Sequence, residues 1–213
     1  MGFVVVGLVG SPRKGMNTDT LVTRALEGAS SAGAAVEKVY LNDLSIRPCQ
    51  ACGSPPSKGF CAYSDGMDTV YRALDTADAF VIGSPAYFDG ISAQLKLVID
   101  RSNCLTEMTT DADGRVVFRR KISRTRPGLF FWVADLSRDP GHALSSVRLW
   151  CRDAGIRLVD TVIATDSDRG IPARQRPDLL ETAFNAGKSL VSGASVVARP
   201  STTRANDRYL RDS

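Results

Sequence analysis

The stretch GLVGSPRKGMNTDTLV, residues 7–22, leaves an apolar run, turns through Gly, Ser and Pro, and enters a helical pattern. It gathers hydrogen-bond donors: the Ser11 hydroxyl, the Arg13 guanidinium, the Asn17 amide and the Thr18 hydroxyl. A helix starting there adds its free backbone N–H groups. The triphosphate-binding loop has the form Gly-x₄-Gly-Lys-Ser/Thr. Gly10 and Gly15 keep the spacing, but Met16-Asn17 replaces Lys-Ser/Thr. The Gly-x-Gly-x-x-Gly fingerprint of dinucleotide loops is missing as well. The remaining donors suit one terminal phosphate monoester held without a metal. They also suit a plain strand-to-helix turn with Asn17 or Thr18 as N-cap.

A second stretch, GSPAYFDGISAQLKLVIDR (83–101), places Pro85 and Gly90 to shape a turn, with Tyr87 and Phe88 where a flat ring can lie. A third, PCQACGSPPSKGFCAYSDGMD (48–68), spaces Cys49, Cys52 and Cys61 as Cys-x₂-Cys-x₈-Cys. Those thiols could join the lone histidine, His142, around zinc. Cys49 and Cys52 could instead work as a redox dithiol. The plain alternative is reduced thiols packed near the site or at a subunit contact. Cys104 and Cys151 sit in helical patterns and read as core. The chain has one histidine, and no Ser-His-Asp or paired-carboxylate constellation stands out in it.

The elements that must position these residues alternate between strand and helix. Apolar runs at 3–10, 34–43, 78–88, 128–137 and 156–165 read as strands. Helical patterns at 18–33, 67–77, 91–105, 142–155 and 176–194 lie between and after them, with Pro177 in the first turn of the last. Such alternation implies an α/β three-layer sandwich, a parallel sheet with helices on both faces. The flavodoxin-like order 2-1-3-4-5 is the simplest five-stranded solution, and its ligands bind outside the carboxyl ends of the strands. That rule selects the loops at 10–18, 85–91 and 134–141.

With these loops in place, GSPRKGMNTDTLV followed by GSPAYFDGISAQLKLVIDR resembles the NAD(P)H-dependent FMN reductase family, and within it the branch of iron–sulfur flavoproteins. The resemblance implies FMN as cofactor, NAD(P)H as co-substrate and a small-molecule electron acceptor; the alternatives are an iron–sulfur or dithiol flavoprotein that carries electrons between proteins and a tailoring flavoenzyme that acts on a biosynthetic intermediate. It implies that Ser11, Arg13, Asn17 and Thr18 hold the FMN phosphate, and that Pro85, Ala86, Tyr87, Phe88 and Gly90 border the isoalloxazine. It also implies a homodimer or homotetramer. The third loop, ADLSRDPGH, departs from the family's small Gly-rich turn. There Asp135 either faces the flavin and disfavours its anionic reduced form or caps the following turn. The iron–sulfur relatives carry four compact cysteines, and here Pro55 stands at the third position. Cys49, Cys52 and Cys61 would then need Asp65, an external ligand or another subunit's cysteine to complete a cluster.

The chain has 213 residues and a formal charge of +4, enough for one full core and too mild a charge to argue for nucleic acid. Residues 1–195 read as one FMN-binding domain and 196–213 as a polar tail. The odd count of five cysteines argues against a disulfide framework. No apolar run approaches the ~20 residues that span a bilayer. The start, MGFVVVGLVGSPRK, reads as a strand and not a signal peptide, and Val6 breaks the myristoylation pattern. The expected setting is cytoplasmic, with neither membrane nor nucleic acid as partner. Residues 106–127 form an insertion, in which DADGRVVF reads as a small hairpin turn. Its Arg115, Arg119, Arg120, Lys121, Arg124 and Arg126 read either as a solvated face or as a site for the 2′-phosphate of NADPH or an acidic partner.

Overall fold

A computed structural model describes residues 2–53, 59–135, 139–165 and 171–197. The elements run β1 (Val4–Val9), α1 (Asn17–Ser31), β2 (Ala35–Tyr40), α2 (Met67–Thr76), β3 (Ala79–Pro85) and α3 (Ala93–Arg101). They continue with β4 (Thr106–Thr110), β5 (Val116–Arg120), β6 (Arg126–Val133), α4 (Gly141–Asp153), β7 (Ile156–Ala164) and α5 (Pro177–Val197). Five strands pair in parallel in the order β2-β1-β3-β6-β7, the expected order once the separate β4–β5 pair is set aside. Every residue of β3 is buried, as a central strand covered on both faces requires.

One apolar cluster fills the α2, α3 and α4 face, around Leu74, Phe80, Leu95, Phe130 and Trp150. The other lies under α1 and α5, around Val5, Leu21, Val22, Phe131 and Ala183. The apolar stripe of α1 is buried where the sequence places it, at Leu21, Val22, Ala25, Leu26 and Ala29. Two glycines let α1 and α5 touch backbone to backbone. A Cβ on Gly187 would sit 1.8 Å from the Ala25 carbonyl oxygen, and one on Gly28 2.0 Å from that of Phe184.

The insertion is more regular than a turn. β4 and β5 pair antiparallel, with Met108 opposite Phe118. Thr and Val suit a pleated pair, and Asp111 closes the turn by accepting from the N–H groups of Asp113 and Arg115. The hairpin follows α3 back to the amino ends of the strands. There the Lys121 N–H donates to the Leu105 carbonyl and Arg120 to the Arg152 carbonyl at the end of α4. That is the edge opposite the loops at 10–18 and 85–91. The base of the hairpin therefore lies at that far edge. Arg126 is buried and is not part of a solvated face, whereas Arg124 is exposed but also paired. Arg124 donates to the carbonyls of Asp75 and Ala77 at the end of α2. Buried Arg126 forks onto the carbonyls of Leu74, Ala154 and Gly155. Burial and the neighbouring Arg124 charge push its guanidinium down to about 10. These cations complete helix C-termini, where unpaired carbonyls favour positive charge.

No helix among the described residues is long and apolar enough to cross a membrane. Residues 198–213, most of the expected tail, lie outside the described residues, and α5 runs to Val197.

Candidate functional site

The carboxyl ends of β1, β3 and β6 deliver the three loops to one edge and tie them together. The Gly10 N–H donates to the Gly83 carbonyl at 2.8 Å, and the Ala86 N–H to the Val133 carbonyl at 2.7 Å. Gly10 must be small, because a Cβ there would meet the Gly83 oxygen at 2.9 Å.

In the first loop, Ser11 and Thr18 are each 3% exposed, Asn17 is half-buried and Arg13 is exposed. Neither Asn17 nor Thr18 is the N-cap. Met16 occupies that position, and no side chain caps α1. The Asn17 Oδ1 instead accepts the Ala173 N–H at 2.9 Å, joining the loop to the segment after β7 and leaving its NH₂ as a donor. The residue that shapes the turn is Asp19. Its carboxylate accepts the N–H of Gly15 at 2.6 Å, where φ is +71°. It also accepts from Lys38 Nζ at 2.9 Å and the Tyr40 hydroxyl at 3.0 Å. Burial works to raise this carboxyl, but the Gly15 N–H, Lys38 and Tyr40 outweigh it and hold Asp19 below the usual carboxylate value. An uncapped helix start beside two buried hydroxyls and an exposed guanidinium lacks an acceptor, and a phosphate monoester supplies one. The residues present fit that group.

The second loop is a two-residue hairpin turn. Tyr87 and Gly90 exchange N–H···O bonds of 3.0 Å. The residues between them, Phe88 and Asp89, have φ of +50° and +57°. Gly90 closes the turn, as the sequence reading expects, but the left-handed positions fall on a Phe and an Asp. Such backbone is sparsely populated for non-glycine residues and clusters at ligand sites. Phe88 is fully exposed and Tyr87 is 44% exposed. Behind them Pro85 is buried and Ala86 half-buried. Ser92, whose N–H donates to the Ser84 hydroxyl at 2.9 Å, caps α3 through Leu95.

In the third loop the Ala134 N–H donates to the Ala164 carbonyl and Asp135 is exposed. Residues 136–138 lie outside the described residues. Asp139, not Asp135, accepts the Gly141 N–H at 2.8 Å at the start of α4.

Among the described residues, the cysteine loop does not assemble a metal site. Cys49 and Cys52 are exposed and Cys61 is half-buried, while Pro55 lies outside the described residues. Among the described residues, no three His, Cys, Asp or Glu side chains converge on a metal position, so His142 joins no such group. Asp65 is taken by Arg101, a buried residue of α3, at 2.5 Å. The same guanidinium donates to the Arg47 carbonyl at 2.8 Å and lies 3.5 Å from the Cys61 sulfur. Burial works to raise the Cys61 thiol, but the Tyr63 N–H and Arg101 outweigh it and hold it below its ordinary value. This donor set does not fit a cubane cluster. Arg101 is the residue that sequence reasoning missed here, and it holds the loop by charge-assisted hydrogen bonds. Of the cysteines read as core, Cys151 is buried, while Cys104 is only partly buried and lies 3.2 Å from the Tyr71 hydroxyl.

The family model of NADPH-dependent FMN reductases matches residues 4–160, most of the chain. An iron–sulfur flavoprotein of Methanosarcina thermophila is 32% identical over 58% of this chain and 65% of its own length. One of Methanocaldococcus jannaschii is 40% identical over 47% of this chain and 52% of its own. The chain thus spans about half to two-thirds of the length of these two relatives. Among solved structures, an NAD(P)H:quinone oxidoreductase from Methanothermobacter marburgensis shares the fold, with a TM-score of 0.68, 19% identity and coverage of 89% of this chain and 100% of that one. By its fold, its two opening loops and the family match, this chain belongs to the NADPH-dependent FMN reductase family, flavodoxin-like oxidoreductases built around FMN.

Proposed function

We propose that this chain is an FMN-dependent oxidoreductase that takes hydride from NAD(P)H and reduces a small acceptor, such as a flavin, a quinone or a metabolite. One observation carries the reading: an uncapped α1 N-terminus with buried hydroxyls shares a sheet edge with a strained, solvent-facing aromatic turn. Ser11, Arg13, Asn17, Thr18 and the open N–H groups of α1 would hold the FMN phosphate. Pro85, Ala86, Tyr87, Phe88 and Gly90 would border the ring, and Asp135 stands at the third loop. When bound, FMN supplies the two-electron chemistry, so the chain needs no nucleophile or acid–base pair of its own. Asp19 keeps the Gly15 turn open, and Tyr87 and Phe88 shield one side of the ring position from water.

Residues 1–195 would form the FMN-binding domain, acting in the cytoplasm as a homodimer or homotetramer. For an iron–sulfur electron relay, the reading that the iron–sulfur flavoproteins suggest, no ligand set converges among the described residues, while the dithiol form would rest on the exposed Cys49 and Cys52. The test is the flavin content of an Arg13→Ala, Thr18→Ala variant reconstituted with FMN. The variant is expected to keep its far-ultraviolet circular dichroism and to lose FMN on gel filtration. Full flavin retention would refute the assignment of the first loop.

A further inference from the structure

We propose that an open cleft between the aromatic turn and α4 binds an anionic group on the electron acceptor, with Lys96 and His142 as its recognition residues. The proposal rests on the oxidoreductase reading for what enters the cleft, not for the existence of the cleft.

The cleft has a volume of about 500 Å³ and is lined by Gly90, Ile91, Lys96, His142, Ser145 and Ser146. It begins where the strained turn ends, so a planar molecule lying against Phe88 and Tyr87 reaches it directly. His142, Ser145 and Ser146 stand at i, i+3 and i+4 of α4, the spacing that puts three side chains on one helix face. Lys96 faces them from the second turn of α3. Gly90 and Ile91 give one wall an apolar character suited to an aromatic body.

The polar lining is uncommitted. Among the described residues, the side chains of His142, Ser145 and Ser146 have no hydrogen-bond partner. Lys96 pairs with Asp100 at 2.7 Å, with both side chains about half exposed. An exposed i,i+4 pair of this kind is weak, and an incoming anion can displace it. Asp139 already takes the Gly141 N–H, so that backbone donor is not open to a ligand. One ammonium, two hydroxyls and an imidazole are a donor set for a carboxylate, sulfonate or phosphate. The ligand class is therefore an aromatic oxidant bearing one such group.

His142 is the only histidine in the chain, so its imidazole Cε1–H gives one proton resonance and reports on the cleft directly. Naphthalene sulfonate titrated into the FMN-loaded protein should shift that resonance saturably. Neutral naphthol should leave it in place, and Lys96→Gln should abolish the response. In steady-state assays with NADPH, Lys96→Gln should raise KM for naphthoquinone sulfonate by about tenfold or more while leaving KM for unsubstituted naphthoquinone unchanged. An unmoved His142 resonance would overturn the proposal, as would equal KM changes for the two quinones. A rise in KM for NADPH alone would give the cleft to the donor and overturn its assignment to the acceptor. If the protein takes up no FMN, the oxidoreductase reading fails, and the same titration of the flavin-free chain still decides whether the cleft binds the anion.

Discussion

The turn at Tyr87–Gly90 sets stability against function. Its central residues, Phe88 and Asp89, both occupy left-handed backbone. Such positions cost about 1–3 kcal/mol each in non-glycine residues, and Asn-Gly is the preferred pair for this two-residue turn. Asn tolerates the conformation and Gly is indifferent to it. The Phe88 ring is fully exposed, so removing it takes no contact from the core. Replacing the pair, Phe88→Asn with Asp89→Gly, should therefore stabilise the flavin-free protein by about 1–2 kcal/mol. A chain of this size gains about 2–4 °C in Tm per kcal/mol, so the rise should be about 2–8 °C. Thermal unfolding of the flavin-free forms measures it. In the FMN-loaded forms, NADPH oxidation should fall by about tenfold or more, because the shielding aromatic is gone and the turn is no longer held in its strained form. A variant no more stable than its parent would refute the strain argument. A stabilised variant with full turnover would show that the turn is not kept for the ring.

Other consequences follow from individual contacts. Gly187→Ala puts a methyl group 1.8 Å from the Ala25 carbonyl oxygen, so α1 and α5 must separate and the urea midpoint should fall by the equivalent of about 1–3 kcal/mol. The Asp19 carboxyl is held below its ordinary value, so its contribution is present at neutral pH and is lost as pH falls below about 4. Urea unfolding should accordingly find Asp19→Asn less stable than the parent at neutral pH, with the difference shrinking on acidification. The Cys61 thiol is held low, Cys104 is raised by burial, and burial pushes Cys151 up to about 12. Iodoacetamide at neutral pH should therefore label Cys61 ahead of Cys104 and Cys151, as mass spectrometry of the tryptic peptides would show.

What was readable beforehand depended on how local the cause was. The sheet order followed from alternating runs because doubly covered strands must be apolar throughout, as all seven residues of β3 are. The first loop could be proposed as a phosphate site because Ser11, Arg13, Asn17 and Thr18 lie close together in the chain. Asp19 was not, because its partners Lys38 and Tyr40 lie 19 and 21 positions away; an acidic residue in the first helical turn just after a glycine was the available signal. Arg101 joins Asp65 across 36 positions, and nothing in the local pattern of α3 marks it as the anchor of the cysteine loop. The left-handed backbone of the turn was not legible, because it falls on Phe88 and Asp89, residue types that seldom adopt it. In the insertion, the charge run hid two unlike groups. Arg115 and Arg119 are exposed on the hairpin, whereas Arg124 and Arg126 close helix ends.

The most direct test of the central claim is the absorption spectrum of the protein purified without air and supplied with FMN, recorded before and after NADPH. An FMN-dependent reductase gives a two-band yellow flavin spectrum that stays with the protein on gel filtration and bleaches when NADPH is added. A colourless protein that retains no FMN would contradict that claim and reduce the loop at Ser11–Thr18 to a strand-to-helix turn.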